Sequence, residues 1–172
     1  GLFFVVQSGA LLGPDGEPNG ESAVRLRDTP GKVNALRFSA DGRRLLIASG
    51  LTGAYGLASL VDLSRPDQPP VELIGHRDTL YAAEFSPDET MIATAGYDSE
   101  IVLWDASSGE PIRKLTGHNG AIFDLAFSPD GAVIASACAD ETVKLWSVET
   151  GQRLDTLGQS EAEVYAVAFT PG

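Results

Sequence analysis

Residues 75–105 and 117–147 are one segment written twice, 42 positions apart and without a gap: GHRDTLYAAEFSPDETMIATAGYDSEIVLWD over GHNGAIFDLAFSPDGAVIASACADETVKLWS. Each copy carries Gly-His at its head, Phe-Ser-Pro-Asp in its middle, then a lone Asp, then Leu-Trp. His76 therefore matches His118, Asp98 matches Asp140 and Trp104 matches Trp146. Self-similarity at such a period is the signature of a repeat architecture, in which each copy is one supersecondary unit.

Short apolar runs bounded by turn residues predict four strands in each copy. Strand a falls at 80–85 and 122–127, b at 91–95 and 133–137, c at 100–104 and 142–147, and d at 111–116 and 152–157. Runs rather than strict alternation are expected of strands covered on both faces. The a–b turns read Ser86-Pro87-Asp88-Glu89 and Ser128-Pro129-Asp130-Gly131. There Pro presets φ, Asp bonds back to the backbone and Gly accepts positive φ. The c–d turns, Ser107-Ser108-Gly109-Glu110 and Glu149-Thr150-Gly151-Gln152, use the same chemistry.

A degenerate copy precedes these two. Val33 to Phe38 is its strand a, and Phe38 stands 47 residues before Phe85, which implies an insertion of about five. The insertion is expected mainly in Gly50-Leu51-Thr52-Gly53-Ala54-Tyr55-Gly56, a glycine-rich loop between strands b and c. Thr29 takes the place of the repeat's His and Val61 that of its Trp. A further copy begins at Val164-Tyr165-Ala166-Val167-Ala168-Phe169, and Phe3–Gln7 with Ala23–Arg27 look like strands c and d of another unit, joined by a loop from Gly9 to Gly20. With Phe169-Thr170-Pro171-Gly172 falling inside a repeat, the chain is read as a piece of a longer protein.

Composition excludes several functions. The chain has 24 acidic residues against 12 Lys and Arg, a net charge of −12, which opposes binding to phosphate backbones. A solvated acidic surface accounts for this balance, with a dedicated site for a basic partner as the alternative. Cys138 is the single cysteine, so there is no intrachain disulfide, CxxCH haem site or cysteine-built zinc site. No apolar run approaches the ~18 residues of a spanning helix. Membrane insertion is therefore not expected, and a soluble chain of either cytoplasm or periplasm remains open. No Walker or dinucleotide fingerprint is present, and no cofactor or metal is expected.

Ser136, His118 and Asp140, like Thr94, His76 and Asp98, have the composition of a hydrolase triad. Three features argue otherwise: the set occurs twice at one spacing, no GxSxG elbow accompanies it, and a Trp follows each Asp by six positions. The residues suit a buried chain of hydrogen bonds instead, running from indole to hydroxyl to imidazole to carboxylate.

Gly75-His76, Asp98 and Trp104-Asp105, with Gly117-His118, Asp140 and Trp146, closely resemble WD40 repeats. The resemblance implies an all-β fold, a β-propeller of four-stranded antiparallel blades, here a partial ring. It divides this chain into a partial blade at 1–30, a degenerate repeat at 31–75, repeats at 76–117 and 118–159, and the start of another at 160–172. It also implies structural tetrads of His76, Thr94, Asp98 and Trp104, and of His118, Ser136, Asp140 and Trp146, with none in the degenerate repeat. Expected partners are other proteins, docking on the face made by the d–a and b–c loops, with self-association through open blade edges as a further expectation. Tyr81, Phe123 and Tyr165 share one repeat position, where the degenerate copy has Asn34. They are candidates either for an aromatic anchoring ring at the channel rim or for inter-blade packing. Tyr97, Arg77 and the Tyr55 loop complete the candidate binding surface. The expected function is a non-enzymatic scaffold. The repeat style also resembles bacterial WD40 proteins, some of which carry enzyme or c-type cytochrome modules elsewhere, which makes an accessory domain the alternative.

Overall fold

Short apolar strands are separated by turns, among them Ser-x-Asp turns and residues of positive φ, so the chain folds back on itself every few residues and builds antiparallel sheets. The computed structural model describes residues 31–65, 67–158 and 160–170, and the backbone of two further strands. These two, β1 (Phe3–Val6) and β2 (Ala23–Leu26), pair antiparallel as a two-stranded sheet. The Gly9–Gly20 connection and Thr29 lie outside the described residues.

Three four-stranded antiparallel sheets follow, each in sequential strand order. The first holds β3 (Lys32–Phe38), β4 (Arg44–Leu51), β5 (Tyr55–Asp62) and β6 (Val71–His76). The second holds β7 (Leu80–Phe85), β8 (Met91–Gly96), β9 (Glu100–Asp105) and β10 (Pro111–Thr116). The third holds β11 (Ile122–Phe127), β12 (Val133–Cys138), β13 (Val143–Ser147) and β14 (Arg153–Leu157). No helix occurs among the described residues. The fold is a partial β-propeller whose first strands β3, β7 and β11 neighbour one another across blades.

The a–b turns share one hydrogen-bond plan. Ser39, Ser86 and Ser128 each donate their hydroxyl to the Asp two residues on, at 2.7, 2.6 and 2.5 Å. Each hydroxyl also accepts the backbone N–H five residues on, at 2.9, 3.0 and 2.9 Å. The last turn residue has positive φ in all three, at Gly42, Glu89 and Gly131. Glu89, a non-glycine residue in this strained region, uses its carboxylate across the blade boundary, accepting from Ala40 N and, at 2.5 Å, from Arg44 Nη2.

The core lies between blades rather than within them. Leu46, Ala58 and Leu73 of the first blade pack with Leu80, Ile92, Val102 and Trp104 of the second. Ile101, Leu103 and Leu115 of the second pack with Ile122, Leu125, Ile134 and Trp146 of the third. Each tryptophan thus seals its blade to the preceding one, and burying such a ring is worth roughly 3 kcal/mol or more. In the first blade the hydroxyl and tryptophan positions of the tetrad hold hydrocarbon: Ile47 and Val61 pack with Leu45, Val33 and Leu63.

Residues 164–169, where a further strand a is expected, join no ladder among the described residues. They are seated on the third blade by Val164 N–H donating to Cys138 O and Val167 N–H donating to the Asp124 carboxylate, both at 3.0 Å.

Candidate functional site

The two candidate networks each join the d–a segment to two neighbouring strands and the turn between them. His76 ends β6, Thr94 lies in β8, Asp98 in the turn after it, and Trp104 in β9. His76 Nδ1 lies 2.9 Å from Asp98 Oδ2, and its Nε2 lies 2.8 Å from Thr94 Oγ1. Trp104 Nε1 donates to the same hydroxyl at 2.7 Å. The next blade repeats the geometry, with His118 Nδ1 2.8 Å from Asp140 Oδ2 and Nε2 2.7 Å from Ser136 Oγ. Trp146 Nε1 donates to Ser136 Oγ at 2.8 Å. With the neutral imidazole protonated at Nδ1, each hydroxyl accepts the indole N–H and donates to Nε2, so every polar atom is satisfied.

This is the bonding of a catalytic triad in a place where no substrate can reach. Thr94 and Ser136 are 0% exposed. Each carboxylate also holds a loop, through the same Oδ2 that meets the imidazole. Asp98 accepts from the Arg77 N–H at 2.9 Å and Asp140 from the Asn119 N–H at 3.0 Å, tying each d–a segment to the neighbouring b–c turn. Burial pushes the Asp98 carboxyl up, but its bonds to His76 and to the Arg77 and Glu100 N–H groups outweigh this and hold it below its ordinary value.

The third blade adds a residue outside the shared motif. Lys144 replaces Val102 of the sibling repeat, and its side chain is only 6% exposed. Its Nζ donates to Asp140 Oδ2 at 3.0 Å and to Thr142 Oγ1 at 2.8 Å, and lies 3.2 Å from His118 Nδ1. Burial works to raise the Asp140 carboxyl, yet the Thr142 hydroxyl, His118, the Asn119 N–H and Lys144 together hold it far below the carboxylate range. Burial is also the main cause that lowers the His118 pKa, opposed by Asp140 and reinforced by the charges of Lys144 and Arg153. The signal for Lys144 was in the alignment of the two copies, as a cation at an apolar strand position.

His118, Cys138 and Asp140 bring three potential metal-ligand atoms within 4.8 Å of one another. The donor set does not suit an ion. Lys144 supplies a positive charge at the same carboxylate oxygen. The Cys138 thiol donates to Gly120 O at 3.2 Å, and burial pushes its pKa up to about 11, away from the thiolate a metal requires.

The aromatic series is built by a recurrent irregularity. Pairing of strands a and b slips between Val33 and Ala35, between Leu80 and Ala82, and between Ile122 and Asp124. The residue skipped each time is Asn34, Tyr81 or Phe123. A bulge re-aims the side chain of its extra residue, and here the aromatics meet across blades. Ring centroids are 5.6 Å apart for Tyr81 and Phe123, and 4.9 Å for Phe123 and Tyr165, the latter pair stacked. Tyr81 and Phe123 are half-buried, whereas Tyr165 is exposed. Asn34 makes its own inter-blade bond, donating to Leu80 O at 2.7 Å.

The expected long loop at Tyr55 does not form. β4 and β5 remain paired through Ser49↔Leu57, Gly50↔Gly56 and Leu51↔Tyr55, and the connection is a tight turn of Thr52, Gly53 and Ala54. Antiparallel pairing satisfies backbone groups that a loop would leave to solvent, so most of the extra residues lengthen a hairpin. That hairpin lies against the next blade. Gly53 N–H donates to Asp78 Oδ1 at 2.8 Å, and a Cβ on Gly56 would stand 2.1 Å from Asp78 O. Tyr55 is half-buried; beside the hairpin, Tyr97 is exposed and its N–H donates to Thr79 O at 2.9 Å. Arg77 is exposed and paired with Glu100 Oε1 at 2.7 Å.

A cleft of about 340 Å³ between the inner strands is lined by Arg37, Glu84, Asp124 and Val167, among others. Its polar groups serve one another: Arg37 pairs with Glu84, and Asp124 holds Val167.

Residues 68–105 and 109–147 match the family model described as WD domain, G-beta repeat. Ribosome assembly protein 4 of Chaetomium thermophilum is 41% identical over 46 residues, covering 27% of this chain and 9% of that protein. Protein hir-1 of Neurospora crassa is 29% identical over 99 residues, covering 48% of this chain and 9% of its own length. Protein hir1 of Emericella nidulans is 25% identical over 120 residues, 60% of this chain and 11% of that protein. The chain thus spans about a tenth of the length of these curated relatives. All three organisms are fungi, so the resemblance to bacterial proteins, and with it the accessory enzyme or cytochrome reading, gains no support from them.

Proposed function

We propose that this chain, which carries two WD40 repeats within a run of propeller blades, is a non-enzymatic scaffold. In this reading it binds other proteins on the face where d–a segments meet b–c turns. The observation that carries the reading is the use to which the imidazole–carboxylate pairs are put. They are buried against hydroxyl and indole, and the carboxylate oxygen that meets each imidazole also accepts the N–H of Arg77 or Asn119 and so pins the loop. Asp78 does the same for the β4–β5 turn. Loops fixed before binding lose little further freedom on binding, so the side chains they carry can contribute to affinity. Arg77 and Tyr97 are exposed on these loops and Leu51 at the end of β4, and Tyr81, Phe123 and Tyr165 form a row across the blades. The two sets of His76, Thr94, Asp98, Trp104 and His118, Ser136, Asp140, Trp146 are structural in this reading.

Nucleic acid is disfavoured as a partner by the arrangement of charge. Arg37, Arg44 and Arg77 are paired with carboxylates, Arg113 with the carbonyls of Glu149 and Thr150, and Lys144 is buried. The exposed β14 edge, with Leu154 and Leu157 outward, is where self-association would begin. That one relative is named for ribosome assembly accords with a role among protein partners.

The test compares proteins retained by the immobilised chain, the double variant Arg77→Ala/Tyr97→Ala, and Glu110→Ala at the opposite ends of the strands. A set of proteins retained by the parent and by Glu110→Ala but lost from the double variant supports the reading. Equal retention by all three refutes it.

A further inference from the structure

We infer that Asn119–Gly120 is a site of spontaneous covalent modification, at which the loop converts its own amide to a carboxylate. The described residues contain three pairs of an Asp or Asn followed by Gly, and the structure treats them differently. In Asp41–Gly42 the carboxylate accepts from Ser39 Oγ and Arg43 N–H, while Gly42 N–H donates to Ser39 O at 2.9 Å. In Asp130–Gly131 the carboxylate accepts from Ser128 Oγ and Ala132 N–H, and Gly131 N–H donates to Ser128 O at 2.8 Å. Both groups that would have to react are thereby held.

At Asn119–Gly120 they are free. Asn119 is exposed, and neither its side-chain amide nor the Gly120 N–H has a hydrogen-bond partner among the described residues. The segment is anchored on either side of the reacting atoms, by Asn119 N–H donating to Asp140 and Gly120 O accepting from Cys138. Glycine at the second position presents no Cβ to obstruct the approach of its nitrogen to the preceding side chain. Asparagine in such a setting is chemically labile.

The step is an intramolecular acyl transfer. Gly120 N attacks Asn119 Cγ, the bond from Cγ to the amide nitrogen breaks, and ammonia departs with the proton from Gly120 N. A five-membered succinimide remains. Water then adds at one of its two carbonyls and opens the ring, giving aspartate from one and isoaspartate from the other. Either product adds a negative charge beside Asp140. Isoaspartate also lengthens the backbone by one carbon where Asn119 N–H reaches the Asp140 carboxylate. The equivalent position in the sibling repeat is Arg77, a cation ion-paired with Glu100. Modification therefore makes the two d–a loops more unlike.

The experiment incubates the full chain, folded, at mildly alkaline pH, then maps its peptides by mass spectrometry. Isoaspartyl groups are counted with an isoaspartyl methyltransferase and a labelled methyl donor. The expected result is the mass change of amide to acid in the peptide holding residue 119, with isoaspartyl groups in that same peptide. Asn119→Gln should abolish both signals in that peptide, and reading peptide by peptide keeps them apart from any at Asn19–Gly20. Asn34, whose amide donates to Leu80 O, should keep its amide. Retention of the Asn119 amide in the folded chain overturns the proposal, whatever the urea-unfolded chain does. Acid at 119 without isoaspartyl groups overturns it too, since the succinimide route yields both products.

Discussion

Asp140→Asn offers the sharpest test of how the third blade is held together. The substitution keeps the shape of the side chain and removes its charge. In the folded protein that charge faces a Lys144 ammonium only 6% exposed, at 3.0 Å, and the His118 ring at 2.8 Å. Removing one partner of a buried ion pair leaves the other unpaired, which costs about 3–5 kcal/mol. Asp98→Asn is the internal comparison. Its carboxylate binds His76 and two backbone N–H groups, but the sibling of Lys144 is Val102, so no buried cation is orphaned. Loss of hydrogen bonds to a charged acceptor there should cost about 1.5–3 kcal/mol. Adding Lys144→Val to Asp140→Asn removes the orphaned charge and should recover at least about 1 kcal/mol, a coupling of the size expected for contacting residues. Urea unfolding is the assay, followed by circular dichroism and by tryptophan fluorescence, because both tryptophans report on these networks. Equal costs for the two Asp→Asn variants, or additivity within about 0.5 kcal/mol in the Asp140/Lys144 cycle, would refute the argument.

Three further outcomes follow from the structure. Gly56→Ala places a methyl 2.1 Å from Asp78 O and should destabilise by about 1–3 kcal/mol, whereas Gly53→Ala meets no atom within 4 Å and bears only the strain of its φ of +76°, about 1 kcal/mol; thermal denaturation of both separates crowding from backbone strain. Stability should fall on acidification. His118 is held below its ordinary value, so its contribution is complete above about pH 6.5 and is lost as pH falls towards its folded value. The depressed Asp98 and Asp140 carboxyls add a second loss below about pH 4. Lys144→Val removes a charge that lowers the His118 pKa, so the folded value moves back towards the unfolded one and the upper limb of a stability–pH profile should shrink.

Much of this architecture was legible in the chain because it is written locally and more than once. Strands β7 to β14 begin and end within a residue or so of the positions read from the repeats. The Ser-x-Asp turns closed as their residues dictate, since a hydroxyl, a carboxylate and the next N–H groups lie within reach along the chain. The pairing of His with hydroxyl and carboxylate was readable because two copies at one spacing reveal which residues recur together. Lys144 was not, because a motif is what the copies share, and Lys144 is where they differ.

The sequence by itself determined the period, the strands, the turns and the residues of the two networks, all of which depend on neighbours in the chain or on comparison of one copy with the next. Only the tertiary structure decided that strand a bulges at Asn34, Tyr81 and Phe123, and that the aromatic rings therefore meet in a row across the blades. It alone decided that the glycine-rich insertion continues a hairpin instead of opening a loop, because Gly50 and Gly56 owe their lack of a side chain to Thr79 and Asp78 of the next blade. Those outcomes turn on contacts between residues distant in sequence, where one ångström of approach decides what fits, and no local pattern encodes that distance.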